Sequence, residues 1–220
     1  MCGRYALTAD ADELVEAFGV PLPDFDVVPR YNITPGQQAL VVAEDKRGRR
    51  MGLLTWGLVP GWQDTPGRPL INARCESVLS RPSFSEAVAR RRCLVPADGF
   101  YEWKREGASK LPFWIHPTEG GVLSFAGIWE RWSRPGSEPR HTYAILTMPP
   151  SVEVAAIHDR MPVVVGDADR DAWLDRHNDG RAALSLLRPH KAPDYTCRPV
   201  STRVNRPQED DAGLMEAVTR

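Results

Sequence analysis

Four short stretches of this 220-residue chain pair reactive polar side chains with apolar or turn-forming neighbours. They are Cys2-Gly3-Arg4-Tyr5, Asn72-Ala73-Arg74, Gly99-Phe100-Tyr101-Glu102-Trp103 and Ile157-His158-Asp159-Arg160-Met161-Pro162. The first sets the chemistry. An initiating Met is commonly removed when the second residue is small, as Cys2 is. The chain would then begin with an α-amine and a thiol on adjacent carbons. Unperturbed, these groups titrate near about 7.7–8.0 and about 8.5, so both are partly nucleophilic at neutral pH. Two reactions are open to them. The thiolate can attack an acyl carbon with the amine as base. Alternatively, the amine can condense with an aldehyde, and the thiol then closes on the imine to form a thiazolidine. A frayed terminus with no chemistry at all fits the same five residues.

The other stretches supply acid–base and positioning groups. Glu102 lies between aromatics, where desolvation can lift a carboxyl toward neutrality and fit it to shuttle protons. Strand alternation sends Tyr101 and Trp103 to the opposite face, so a solvent-facing Glu102 suits the pattern too. His158 follows apolar Ile157 and could titrate near neutrality, or be an ordinary loop histidine. Asn72 can hydrogen-bond a reacting group or simply shape a turn. Arg4 and Arg74 can hold phosphates or sit as solvated surface charges.

The elements that must position these groups read as a strand-rich chain. Residues 1–5 are expected to be extended, with Cys2 and Arg4 on one face. A helix over Ala11–Phe18 has a capping box in Asp10 and Glu13 and closes at Gly19. Residues 31–37 read as a turn-rich loop, and residues 39–44 and 50–58 as a hairpin across Lys46-Arg47-Gly48. Ser83 and Glu86 resemble a capping box for a helix over 84–91. Residues 93–103 read as strand broken by Pro96 and Gly99. Further strands are expected over 113–115, 122–132, 141–148, 163–165 and 195–200, and short helices over 152–157, 169–176 and 181–187. Residues 206–220 read as a polar C-terminal tail. Strands joined by short turns, with no repeat or low-complexity linker, predict one α+β domain over residues 1–220, built on a mainly antiparallel curved sheet.

Composition narrows the class. The chain is 42% hydrophobic and 26% charged, as in an ordinary soluble domain. No run approaches the ~20 apolar residues of a membrane span. The start lacks a signal-peptide pattern. Cys2, Cys75, Cys93 and Cys197 form no CxxC pair, which argues against structural zinc and, without secretion, against a disulfide framework. A reducing, cytoplasmic home is the expectation. Net charge is -1, so any nucleic-acid surface must be local. Four of the 28 basic residues are Lys and the remaining 24 are Arg. Acidic residues gather at 167–175 and 209–211, which leaves room for a basic face elsewhere.

Read in order, these stretches and several others resemble the SOS-response-associated peptidase (SRAP) family, whose members shield abasic sites in single-stranded DNA. The resemblance adds Tyr31-Asn32-Ile33-Thr34-Pro35, Trp56-Gly57-Leu58-Val59-Pro60, Arg92-Cys93-Leu94-Val95-Pro96-Ala97 and Ala126-Gly127-Ile128-Trp129-Glu130. It extends from residue 1 to about residue 205. It implies a single SRAP domain with a barrel-like β core and flanking short helices, acting on abasic single-stranded DNA without cofactor or metal. The protein would be a monomer, cytoplasmic and nucleoid-associated when bound to DNA. By the same resemblance, Cys2, freed of Met1 by self-processing, crosslinks to the abasic-site aldehyde. Asn72 orients the sugar or the amine, Glu102 shuttles protons, and His158 assists opening of the deoxyribose. Arg4, Arg74 and Arg81 contact phosphates, while Trp103 and Pro35 stack near flanking bases. Abasic-site lyase or crosslink-reversal activity would accompany the crosslinking. Two positions depart from the pattern: Thr147-Met148-Pro149-Pro150 replaces the usual Thr-x-Ala-Asn, and Cys75 replaces a small apolar residue. A Cys75 thiol close to Cys2 would be an oxidative liability. Competing readings are an N-terminal-Cys amidotransferase, a non-covalent single-strand-binding module and a Cys/His protease using Cys2 and His158.

Overall fold

The chain start is built into the core. The computed structural model describes residues 2–187 and 194–218; Met1 and the last two residues of the expected tail lie outside them. Strand β1 (Tyr5–Leu7) is wholly buried. Tyr5 packs edge-on to Trp56, centroids 5.2 Å apart, and shares a 2.7 Å hydroxyl hydrogen bond with Tyr143. Helix α1 (Ala11–Phe18) has the predicted capping box and ends on Gly19 in the left-handed region, at φ 60°.

Two sheets follow. One carries β2 (Arg30–Ile33), β1, β7 (Gly99–Glu106), β8 (Ser109–Pro117) and β12 (Tyr195–Pro199), in the order β12-β8-β7-β1-β2 and antiparallel throughout. The other runs β10 (Arg140–Met148), β4 (Gly48–Trp56), β3 (Gln38–Asp45), β6 (Arg92–Ala97) and β9 (Leu123–Trp132). Strand β9 pairs back onto β10, so these five strands close into a barrel. Closure leaves these strands no free edge. The β10–β4 pair is parallel, the remaining barrel pairs antiparallel. Two short strands extend β10: β5 (Asn72–Arg74), parallel, and β11 (Met161–Pro162), antiparallel. Short helices α2 (Ser85–Arg90), α3 (Val152–Ala155), α4 (Arg170–Leu174) and α5 (Gly180–Ser185) flank the strands. The mainly antiparallel, barrel-like α+β domain is therefore what the chain forms, with its strands divided between two sheets.

The sheets exchange chain at Asp98. The segment read as one interrupted strand is β6 in the barrel and β7 in the open sheet, and Pro96 lies within β6. Asp98 accepts from Thr8 N at 2.7 Å and Thr8 Oγ1 at 2.6 Å, fixing the crossing. Gly99 is required there, because a Cβ would fall 2.4 Å from Ile115 O.

Local expectations fail elsewhere too: the strand expected over 163–165 is Met161–Pro162, followed by an isolated bridge at Val164. Helix α2 has no side-chain cap: Phe84, not Ser83, is its N-cap. Tyr31 to Ile33 belong to β2 rather than a loop, and the turn begins after them. The stretch read as a polar tail is docked. Asn32 is fully buried and its Nδ2 donates to Val204 O (3.3 Å), Arg206 O (3.0 Å) and Glu209 O (2.7 Å). Asp210 accepts from Arg30 Nε at 2.6 Å and Asn32 N at 2.9 Å, and Leu214 is fully buried. Backbone carbonyls and the Asp210 side chain bond β2, while Arg203 pairs with Glu209 and Asp211 beside them. Replacing Asn32 with Ala should leave several buried groups unpaired and cost about 2–3 kcal/mol. Urea unfolding measures this; a change under about 0.5 kcal/mol would contradict the assignment.

Candidate active site

Asn72 reaches the start of the chain. It stands at the head of β5, where β10 pairs Ile145 with Asn72. Ile71 O accepts from Trp56 Nε1 at 2.9 Å and Ile145 N at 3.1 Å, which fixes the approach to β5. From there Asn72 Nδ2 donates to Cys2 O at 2.7 Å. Its Oδ1 is buried and bonds nothing among the described residues. A buried amide oxygen without a partner costs roughly 1–3 kcal/mol, and such groups cluster where function requires them.

Cys2 is completely buried. Tyr101 N donates to Arg4 O at 3.0 Å, continuing the β1–β7 ladder toward the terminus. That register brings Cys2 within electrostatic reach of Glu102 on β7. Burial, and then the Glu102 charge, push the Cys2 thiol well above its ordinary value. The thiol is therefore neutral at physiological pH.

Glu102 is only 3% exposed, which resolves the ambiguity of strand alternation: both faces of β7 are covered here, since Tyr101 is fully buried as well. Burial raises the Glu102 carboxyl, while the nearby His158 pulls it back. His158 Nε2 lies 3.7 Å from Glu102 Oε2. His158 Nδ1 lies 3.0 Å from Arg160 N, 3.2 Å from Arg160 O and 3.1 Å from Asp159 Oδ1, contacts that hold the ring with Nε2 toward Glu102. Glu102, His158 and Trp103 line a cleft of about 650 Å³.

Two groups that the sequence did not single out hold this arrangement. Arg160, 8% exposed, grips Glu76 in a fork, at 2.6 Å and 2.9 Å, and donates to Thr147 O at 2.5 Å. Thr147 O also accepts from Cys75 N at 3.0 Å. The fork joins the turn after β5 to the His158 loop, and so fixes Asn72 relative to His158. The second group is Asn32, whose Oδ1 accepts from Arg4 Nη1 at 2.8 Å. Both lay inside quoted motifs, Asn32 hidden as a turn residue and Arg160 behind its neighbour His158.

The remaining expected site residues divide. Arg74, Arg81 and Pro35 are exposed. Trp103 is half-buried, its Nε1 bonded to Asn205 Oδ1 at 2.8 Å. Arg4, expected on phosphates, donates inward to Asn32 Oδ1, Val204 O (2.9 Å) and Asn205 O (3.1 Å). Cys75 is a half-buried free thiol raised to about 11 by burial and Glu76, a poor nucleophile at neutral pH. The described residues hold no cluster of His, Cys, Asp and Glu fit for a metal.

The family model described as SOS response associated peptidase (SRAP) matches residues 1–207. The chain belongs to the SRAP family. Among SRAP relatives, the "Abasic site processing protein YoqW" of Bacillus subtilis is 38% identical, over 99% of this chain and 100% of that protein. The corresponding YedK of Escherichia coli is 30% identical over 99% of this chain and 100% of its own. HMCES of Gallus gallus is 35% identical over 96% of this chain and 76% of its own. A solved structure from Bacteroides thetaiotaomicron superposes with a TM-score of 0.85 at 22% identity, covering 99% of this chain and 100% of that one. The SRAP fold is thus shared beyond sequence likeness.

The raised Glu102 carboxyl has a consequence for stability. Above the ordinary value of 4.5 the unfolded state ionises first, while the folded state keeps its proton. The folded state binds more protons in that window, so stability falls as pH rises from 4.5 through the folded value. Glu102→Gln should abolish this loss. Thermal midpoints of both proteins from pH 4 to 8 test it, and parallel curves would contradict a raised carboxyl.

Proposed function

We propose that this protein captures abasic sites in single-stranded DNA by forming a thiazolidine between mature Cys2 and C1′ of the deoxyribose. The observation that carries the reading is the Asn72 hydrogen bond to Cys2 O, 2.7 Å long, beside the buried carboxyl of Glu102. The names of the SRAP relatives point the same way.

The chemistry begins with hydrolysis of the Met1–Cys2 peptide bond, which consumes one water and frees the Cys2 amine. The abasic sugar is mainly a closed hemiacetal. Opening it needs a proton delivered to the ring oxygen and one removed from the C1′ hydroxyl. Glu102, its carboxyl raised by burial, and His158, with its Nε2 toward Glu102, are suited to that exchange. The Cys2 amine then attacks C1′. Asn72 Oδ1, otherwise unpartnered, accepts an amine N–H and aims the lone pair. Water departs and an imine forms. Cys2 Sγ adds to C1′ and its proton passes to the imine nitrogen. The net change is the loss of one water. A thiol held neutral by burial suits this last step, because the proton it must lose is the one the nitrogen must gain. Reversal would run through the same proton exchange on Glu102.

Phosphates flanking the lesion would be held by exposed Arg74 and Arg81, with Pro35 and Trp103 near the adjacent bases. Arg4 would act mainly by holding the terminus through Asn32.

The account demands a free amine. A chain carrying an uncleavable N-terminal extension should form no adduct with an oligonucleotide bearing one abasic site, while the processed protein gives a heat-stable band on a denaturing gel. Cys2→Ser should lose that band and keep non-covalent binding. An adduct from the extended chain would rule out this mechanism.

A further inference from the structure

The hairpin joining β7 to β8 carries an unusual pair. The register sets Arg105 directly opposite Lys110. Like charges opposed across neighbouring strands repel and destabilise the pair. No acid relieves them: Lys104 takes Glu106 at 3.9 Å, and neither Arg105 nor Lys110 has an ion pair among the described residues. Both side chains are exposed, and both line the cleft that holds Glu102 and His158. Asp159, the exposed acid on that cleft, lies 3.1 Å from His158 Nδ1. Strand alternation puts Trp103 on the same face as Arg105. An aromatic ring followed by two uncompensated cations therefore leads away from the site of sugar chemistry.

We propose that Arg105 and Lys110 together bracket one backbone phosphate of the DNA next to the abasic nucleotide, with Trp103 beneath the adjoining base. Directly opposed residues have Cβ atoms about 4.5–5.5 Å apart, so two long cationic side chains converge on one phosphate. The repulsion that an empty hairpin tolerates becomes attraction once an anion lies between the two heads. Arg74 belongs to the strand on the barrel side, and Arg105 and Lys110 to the open sheet. The DNA backbone is thus held by cations from both sheets. The inference rests on reading that cleft as the site for abasic DNA.

The test uses single-stranded oligonucleotides with a tetrahydrofuran abasic analogue, which lacks the reactive hydroxyl and binds without crosslinking. Affinity is measured against salt for the wild type and for Arg105→Gln/Lys110→Gln. Loss of one phosphate contact should flatten the log–log salt slope by about 0.7 and weaken binding several-fold at low salt. Arg105→Lys, which keeps the charge, should retain the slope. Neutral methylphosphonates placed one linkage at a time should reveal one position near the analogue that weakens wild-type binding and leaves the double variant unaffected. Equal salt slopes, or identical methylphosphonate profiles, would overturn the proposal. Crosslinking of authentic abasic DNA by the wild type is followed in parallel. Its absence, with the slope difference present, would refute the thiazolidine reading and leave the phosphate site standing.

Discussion

A chain terminus frays unless something ties it down, and here the decisive tie is the hydrogen bond from Asn72 Nδ2 to Cys2 O. A terminal amine is useful for catalysis only if its lone pair has a fixed direction. Adjacent supports hold the same stretch: the ladder from Arg4 O to Tyr101 N, the buried Tyr5, and the Arg4–Asn32 hydrogen bond that leads into the docked C-terminal segment. The two ends of the chain are thereby joined through one buried amide. Asn32 uses both ends of its side chain for this, donating to three carbonyls and accepting from Arg4.

Burial then sets the protonation states. Removing Cys2 and Glu102 from water penalises the charged form of each, and the Glu102 charge further penalises the Cys2 thiolate. The resting site therefore favours a neutral thiol beside a carboxyl that holds its proton more tightly than usual. Under the proposed mechanism, that combination suits amine-first chemistry in which protons are passed rather than charges created. His158 stands at the open side of this pair, its ring oriented by the Arg160 backbone, and the Arg160–Glu76 fork holds its loop against β5.

What the sequence made legible was local. The α1 capping box, the β3–β4 hairpin and most strands follow from residues a few positions apart, and the reactive quartet stood out by residue type. Long-range pairings were not legible. Alternation left Glu102 free to face solvent because it assumes a strand with one wet face, whereas β7 is covered on both faces at this point. The polar composition of residues 206–218 resembled a tail, because the segment is docked largely through backbone carbonyls, Asp210 and the single apolar anchor Leu214, while most of its polar side chains face water. Asn32 and Arg160 are single residues whose partners lie 172 and 84 positions away for the bonds to Val204 and Glu76, a distance over which no local pattern carries.

The central claim is that the amine and the thiol of one residue both bond to the same sugar carbon. Intact mass of the protein, taken after mixing with abasic single-stranded DNA and denaturing in hot acid without reductant, tests it most directly. The account predicts a species equal to the protein lacking Met1 plus the DNA strand minus one water, stable without borohydride because the thiol has closed the imine. An adduct that survives only after borohydride reduction, or one retained in full by Cys2→Ser, would contradict it.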